Sequence, residues 1–232
     1  MLIWTIAKRE IKLGFRNPWF YTFLVLFTVF NYLLVSVQIS GGFLEKGYSH
    51  TTGTALNLIL YLLPLTTLLL GALSLASDKE GEWVLLRTYP LSSYTFLCGK
   101  YVGIAVVLST LIFFSYGVAG LTAAWSGQPL STSSLVTFLL FSFGILFPYL
   151  TLAFLAGTLS RNRWQALAFG VGIWFFTVLA WPMFLISVLA WFRYPVIQPT
   201  LEVLTLFNPA EWVRIFTVMK LGGGSIFGPD YY

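Results

Sequence analysis

From Tyr101 to Ser160 the chain runs for 60 residues without a single Asp, Glu, Lys or Arg. A soluble domain carries about 25% charged residues, so an aqueous fold has no place for such a stretch. Three further charge-free runs cover 17–44, 47–77 and 164–192. A helix needs about 20 apolar residues to cross a bilayer, and each run meets that length. Charged residues make up only 9% of the 232 and apolar ones 58%. These figures exclude soluble, disordered and nucleic-acid-binding proteins. They point to an all-α, polytopic membrane helical bundle occupying 1–232 as one transmembrane domain.

Five spans follow. The first is 20–37, entered through Asn17-Pro18-Trp19, where Pro18 suits a first helical turn. The second is 56–76, with Pro64 expected to kink it. The 60-residue run must hold two spans, 100–125 and 133–159, divided at Ser126-Gly127-Gln128-Pro129. The fifth is 165–191. Their interiors hold no ionisable side chain, only Asn31, Asn57 and scattered Ser and Thr, which argues against an ion-coupled pump. The first apolar run is too long for the core of a cleavable signal and is expected to stay as an anchor.

Charge placement orients the chain. With the N-terminus in the cytoplasm, nine of the 13 Lys and Arg residues fall inside, as the positive-inside rule requires. The net charge of +5 is thus a topology signal. Residues 2–16 read as a cytoplasmic amphipathic helix on the membrane surface, with Lys8, Arg9, Lys12 and Arg16 on one side. Glu10 falls within its apolar side, and a carboxylate there demands a partner from elsewhere in the protein. The tail, 192–232, is expected outside. It includes a helix over 208–222 with Asn208 as N-cap, Pro209 at N1 and Glu211 in a capping box. Its Trp212, Ile215, Phe216 and Met219 share one face, against Glu211, Arg214 and Lys220. This helix is expected at the outer interface, dipping into the membrane, or on a partner.

Metal and nucleotide chemistry find no support. Cys98 and His50 are the only residues of their kinds, and no phosphate-binding loop or nucleophile elbow is present. The pattern predicts no catalytic residue, no metal site and no cofactor held by this chain. Gly99 and Gly103 form a Gly-x-x-x-Gly at the start of span three, suited to close helix contact within one subunit or, less simply, at a dimer seam.

The most informative segment is the loop 77–99. Ser77 and Glu80 resemble a capping box, and Pro90 closes the short helix they begin. Trp83, Val84, Leu85 and Leu86 point in four directions, which suits insertion into a protein cleft or packing against the bundle's own base.

At this segment the chain resembles the permease subunits of ABC-2 type transporters. Gly81, Leu85, Leu86, Pro90, Ser92, Gly99 and Lys100 match the family's pattern after its second span. Glu82 stands where Thr is usual and Ser93 where Arg is usual. Lys8-Arg9-Glu10 with Arg16-Asn17-Pro18 is similar to that family's connecting helix. The tail motif Leu206-Phe207-Asn208-Pro209-Ala210-Glu211-Trp212-Val213-Arg214 resembles the branch that serves nitrous oxide reductase maturation.

The resemblance implies a homodimer of permeases joined to two cytoplasmic ABC ATPase subunits, which bring ATP and Mg, in the cytoplasmic membrane. It makes Asp78, Lys79, Glu80, Gly81, Glu82, Trp83, Leu86, Arg87 and Pro90 the coupling helix and its flanks, in contact with the ATPase. Asn208, Pro209, Glu211, Trp212 and Arg214 would meet an extracytoplasmic accessory protein. Family members have six spans, and this chain ends before a sixth. The alternatives are a non-transporting membrane scaffold for an assembly complex and a membrane-embedded lipid-modifying enzyme.

Overall fold

A computed structural model of the chain describes residues 2–40, 50–81, 92–127, 131–192 and 196–220. Every regular element among them is helical. The order is α1 (Leu2–Gly14), α2 (Pro18–Ser40), α3 (His50–Gly81), α4 (Ser93–Trp125), α5 (Thr132–Leu159) and α6 (Arg163–Trp174). A π-helical stretch, Phe175–Ala180, then joins α6 to α7 (Trp181–Leu189), and α8 (Ile197–Leu206) and α9 (Pro209–Lys220) follow.

Among the described residues five helical segments are long and apolar enough to cross a membrane: Pro18–Val37, Gly53–Asp78, Ser93–Trp125, Thr132–Leu159 and Arg163–Leu189. The fifth is α6, the π stretch and α7 taken together. The spans thus occur where the charge-free runs place them, but two begin or end well outside the expected limits. α3 includes His50 as its first residue and continues to Gly81, and α4 begins seven residues before Lys100. Charged residues that sequence reading left in a loop are therefore helical.

Local chemistry accounts for the junctions. Asn17 Oδ1 accepts from the Trp19 amide at 3.0 Å and Pro18 opens α2. Ser131 caps α5 by accepting from the Ser134 amide (3.1 Å), and Asn162 caps α6 by accepting from Gln165 N (2.8 Å). Gly127, after α4, takes a φ of 77°, a left-handed value that favours glycine.

α3 is the central pillar, packed against α2, α4, α5, α6 and α9. In its most apolar stretch 67% of residues are buried, against 11% for the fifth span, which stands at the edge of the bundle. The core joins Leu63 and Leu68 of α3, Leu108, Leu111 and Ile112 of α4, and Ile145, Leu146 and Leu150 of α5. Large apolar side chains such as Val25, Leu33, Phe113, Leu140 and Ile186 are exposed around the outside, as lipid contact allows.

Lipid is as apolar as Leu, so helix association in a membrane rests on packing and on hydrogen bonds of about 0.6 kcal/mol each. A ladder of neutral hydroxyls supplies such bonds in sequence. Thr28 of α2 meets Ser115 of α4 at 3.0 Å, Tyr116 of α4 meets Ser142 of α5 at 2.9 Å, and Tyr149 of α5 donates to Thr177 Oγ1 at 2.9 Å.

Candidate functional site

The polar groups concentrate in two places, one at the end of the bundle that carries α1 and one halfway along the fifth span.

At the first, Lys100 is only 1% exposed. Its ammonium donates to Glu10 Oε1 at 3.0 Å, to Asp78 Oδ2 and to the Ser74 carbonyl at 3.0 Å. Ser74 Oγ in turn donates to Glu10 Oε2 at 2.9 Å. Glu10 and Asp78 are 4% and 7% exposed. One charged residue each from α1, α3 and α4 therefore meets in a single buried cluster with Ser74, with Phe96 beneath the ammonium. Two carboxyl groups thus share one ammonium. Breaking a buried pair costs about 3–5 kcal/mol, whereas its net contribution over an apolar replacement is small. The cluster thus fixes a relative position of three helices more than it adds stability.

Gly99 and Gly103 make this geometry possible. A Cβ on Gly103 would lie 2.5 Å from Glu10 Cβ, and one on Gly99 would lie 2.7 Å from Ile6 Cβ. The Gly-x-x-x-Gly serves contact inside the subunit, seating α1 along α4. α1 consequently packs into the bundle by Ala7 and Glu10, while Leu2, Ile3 and Leu13, expected to face the membrane, are exposed beside it. Of the connecting-helix residues, Lys8 and Arg16 are exposed, Arg9 is half-buried and Glu10 is buried. The demand for a partner to Glu10 is met by Lys100.

Asp78 was expected on the coupling helix, in contact with the ATPase; it is instead buried inside the bundle's base by its bond to Lys100. Ser77 caps no separate helix: α3 runs through it, and its hydroxyl donates to Leu73 O at 2.7 Å. Lys79, Glu80 and Gly81 form the end of α3. Glu82, Trp83, Leu86, Arg87 and Pro90 lie outside the described residues.

The second site is built on a backbone defect. In the π register, the Thr177 carbonyl would pair five residues on, with position 182, which is a proline and has no N–H. Asn208, fully buried between α8 and α9, supplies the missing donor: its Nδ2 reaches Thr177 O at 2.6 Å. Its Oδ1 accepts from the Ala210 amide at 3.0 Å, confirming the N-cap. At Pro64 α3 continues through the proline, and the Trp174 indole donates to the Tyr61 carbonyl at 2.8 Å, tying the fifth span to α3 one residue from the carbonyl that Pro64 leaves unpaired.

Thr177 and Gly144 lie near the middle of their spans, and α9 seats Val213 against Gly144, whose added Cβ would meet Val213 Cγ1 at 3.0 Å. The tail therefore returns to mid-depth of the bundle as a helical hairpin. Of the three placements expected for this helix, the packing against α5 and the fifth span fits the one that dips into the membrane. Asn208 and Glu211 are buried within the chain, and Glu211 is paired with Arg214. Pro209 is half-buried and only Trp212 of the expected partner contacts is widely exposed. Of the apolar face read from the sequence, Trp212, Phe216 and Met219 point outward and Ile215 is half-buried, while Ala210, Val213, Thr217 and Val218 pack inward.

Sequence reading did not identify Lys100, Ser74, Thr177 or Pro182 as site residues. The available signals were Lys100 lying between two close-contact glycines and Ser74 standing four residues before Asp78 on one helix face.

Among the described residues the fold is a five-span helical membrane bundle with a seated N-terminal helix and a returning tail hairpin. The chain belongs to the ABC-2 family of transporter proteins, whose sequence pattern matches residues 4–225. Among its relatives is the probable ABC transporter permease protein NosY of Stutzerimonas stutzeri, 26% identical over 234 residues, covering 97% of this chain and 85% of that protein. The protein of the same name from Pseudomonas aeruginosa is 26% identical over 227 residues, covering 94% and 82%. The chain is a multi-pass membrane permease of an ABC transporter, a type whose ATPase is a separate subunit.

Proposed function

We propose that this permease converts ATP hydrolysis by a cytoplasmic ABC ATPase into rearrangement of its spans, received at the end of α3 and passed through the Glu10–Lys100–Asp78 cluster. The observation that carries this reading is the position of the cluster. It ties α1 and α4 to α3 three residues before the segment 82–91 leaves that helix. A push on that segment reaches all three helices together.

Two permeases and two ATPases form the working unit in this reading, with the N-terminus in the cytoplasm and the assembly in the cytoplasmic membrane. The sparsely buried fifth span offers the second copy a surface. The transported species passes a neutral, apolar interior, which suits a lipid or a small hydrophobic or sulfur-bearing species. The named relatives and the tail motif favour service in nitrous oxide reductase maturation. Any extracytoplasmic partner would meet the outward stripe Trp212, Phe216 and Met219 rather than Asn208 or Glu211.

Co-purification with the ATPase separates binding from transmission. Reversing Glu80, Glu82 and Arg87 together is expected to abolish ATPase binding. Lys100→Met with Glu10→Gln is expected to keep binding while uncoupling hydrolysis from transport. Unchanged binding after the triple reversal refutes the coupling role of this segment.

A further inference from the structure

The π stretch Phe175–Ala180 holds one residue more than an α-helix of the same course would. Such bulges are rare and gather at functional sites. Pro182 does not explain this one. It has no N–H to give, so in an α register it deprives the Val178 carbonyl, four residues back. In a π register it deprives the Thr177 carbonyl, five residues back. The backbone loses one bond either way. Side-chain packing does not explain it either, because Trp181 is buried in this register with its indole N–H unpaired, which costs free energy.

What separates the two registers is a donor from outside the span. Asn208 Nδ2 reaches Thr177 O at 2.6 Å and so answers the carbonyl that the π register opens. The upstream half of the span is fixed independently. Trp174 donates to Tyr61 O of α3 at 2.8 Å, and Tyr149 of α5 donates to Thr177 Oγ1 at 2.9 Å. Within α7 the buried side chain is Trp181, with Leu185 and Val188 half-buried. A change of register therefore falls on α7, which little holds in place.

We propose that the fifth span is a two-register helix and that Asn208 of the tail hairpin selects the π register. When the hairpin withdraws, Thr177 O pairs with the Trp181 N–H in α fashion. α7 then turns by about 100°, one residue's step at 3.6 residues per turn. Each of its positions takes the direction its successor has now. Leu185 takes the exposed direction of Ile186, and Met183 the less exposed direction of Phe184. Trp181 leaves its buried place for the exposed direction of Pro182. The hairpin thus sets which side chains of α7 face the bundle, independently of any coupling at residues 82–91.

The test is the oxygen accessibility of a nitroxide in the full chain in lipid nanodiscs. Labels are carried by Met183→Cys or Leu185→Cys in a Cys98→Ser background. With Asn208 in place the label at 183 is expected to be the more accessible. In Asn208→Ser the order should invert, as the accessibility maximum moves by one residue. Serine keeps a cap for α9 but is too short to reach Thr177. Deleting Leu179 supplies the control. Pro182 then stands four residues after Thr177, so α7 keeps its present direction and Asn208 its bond in an α-helix with no register to change. Asn208→Ser in that background should leave the order as it is. An unchanged order in Asn208→Ser with Leu179 present would overturn the proposal, and so would an inverted order with Asn208 in place. Inversion that persists in the deletion background would trace the effect to a lost hairpin and overturn it too. Failure of either variant to insert and fold counts against it equally, since each has a helical register to adopt.

Discussion

Single positions in this chain matter through what they leave unsatisfied. Lys100→Met strands two buried carboxylates and is expected to cost about 3–5 kcal/mol, read as a lowered unfolding midpoint in detergent. Adding Glu10→Gln and Asp78→Asn should recover most of that loss, because the desolvated charges disappear together; the recovery is measured as a coupling energy among the three sites. Gly103→Ala places a Cβ 2.5 Å from Glu10 Cβ and 2.9 Å from the Ala7 carbonyl. It should lift α1 from α4 at about 1–3 kcal/mol. Gly120→Ala meets nothing within 4 Å and should stabilise the same helix by about 0.5–1 kcal/mol. Thermal melts of the two alanine variants, moving in opposite directions, check the seam.

Among the elements, the tail hairpin shows best what sequence could and could not disclose. Asn208 and Pro209 announced a helix start, and α9 begins there. The charge-free runs likewise gave the number and order of the spans, because length and apolarity suffice for crossing a bilayer. The buried faces were illegible for a physical reason. In water the large apolar side chains go inward, but beside lipid they face either way, so apolarity alone does not mark the buried face, and small residues mark the closest helix contacts. Ala7 on α1 and Ala210 with Val213 on α9 follow that rule, while Trp212 and Phe216 face out. The ion cluster was hidden because its members are separated by 22 and 64 residues, with only the misplaced Glu10 signalling that a partner existed. At this scale the hairpin's hold on the fifth span is testable. Asn208→Ala leaves the Thr177 carbonyl without its donor and should cost about 1–3 kcal/mol. Pro182→Ala restores an N–H to the span, so in that background Asn208→Ala should cost much less, as thermal unfolding of the four variants will show.

For the molecule as a whole, the charges set orientation and the neutral interior sets what the bundle can do unaided. Arg161 follows α5 and Ser126 follows α4, at opposite ends of the bundle. In a Cys98→Ser background, Arg161→Cys is expected to react with an impermeant maleimide only in inside-out vesicles and Ser126→Cys only in right-side-out ones. The reverse pattern would invert the topology. The Glu10–Lys100–Asp78 cluster sits at one end of the bundle, so in the proposed mechanism motion is delivered to that end by another subunit.

The bond from Asn208 to Thr177 spans 31 residues of sequence, and this orders events during synthesis. The fifth span is made before the residue that donates to its middle. Until then an ordinary α register would pair the Thr177 carbonyl with the Trp181 N–H, so the π stretch gains its outside donor only with the tail. It is completed only when the tail folds back into the membrane from the far side. The fifth span of this permease is thus completed by helices made after it.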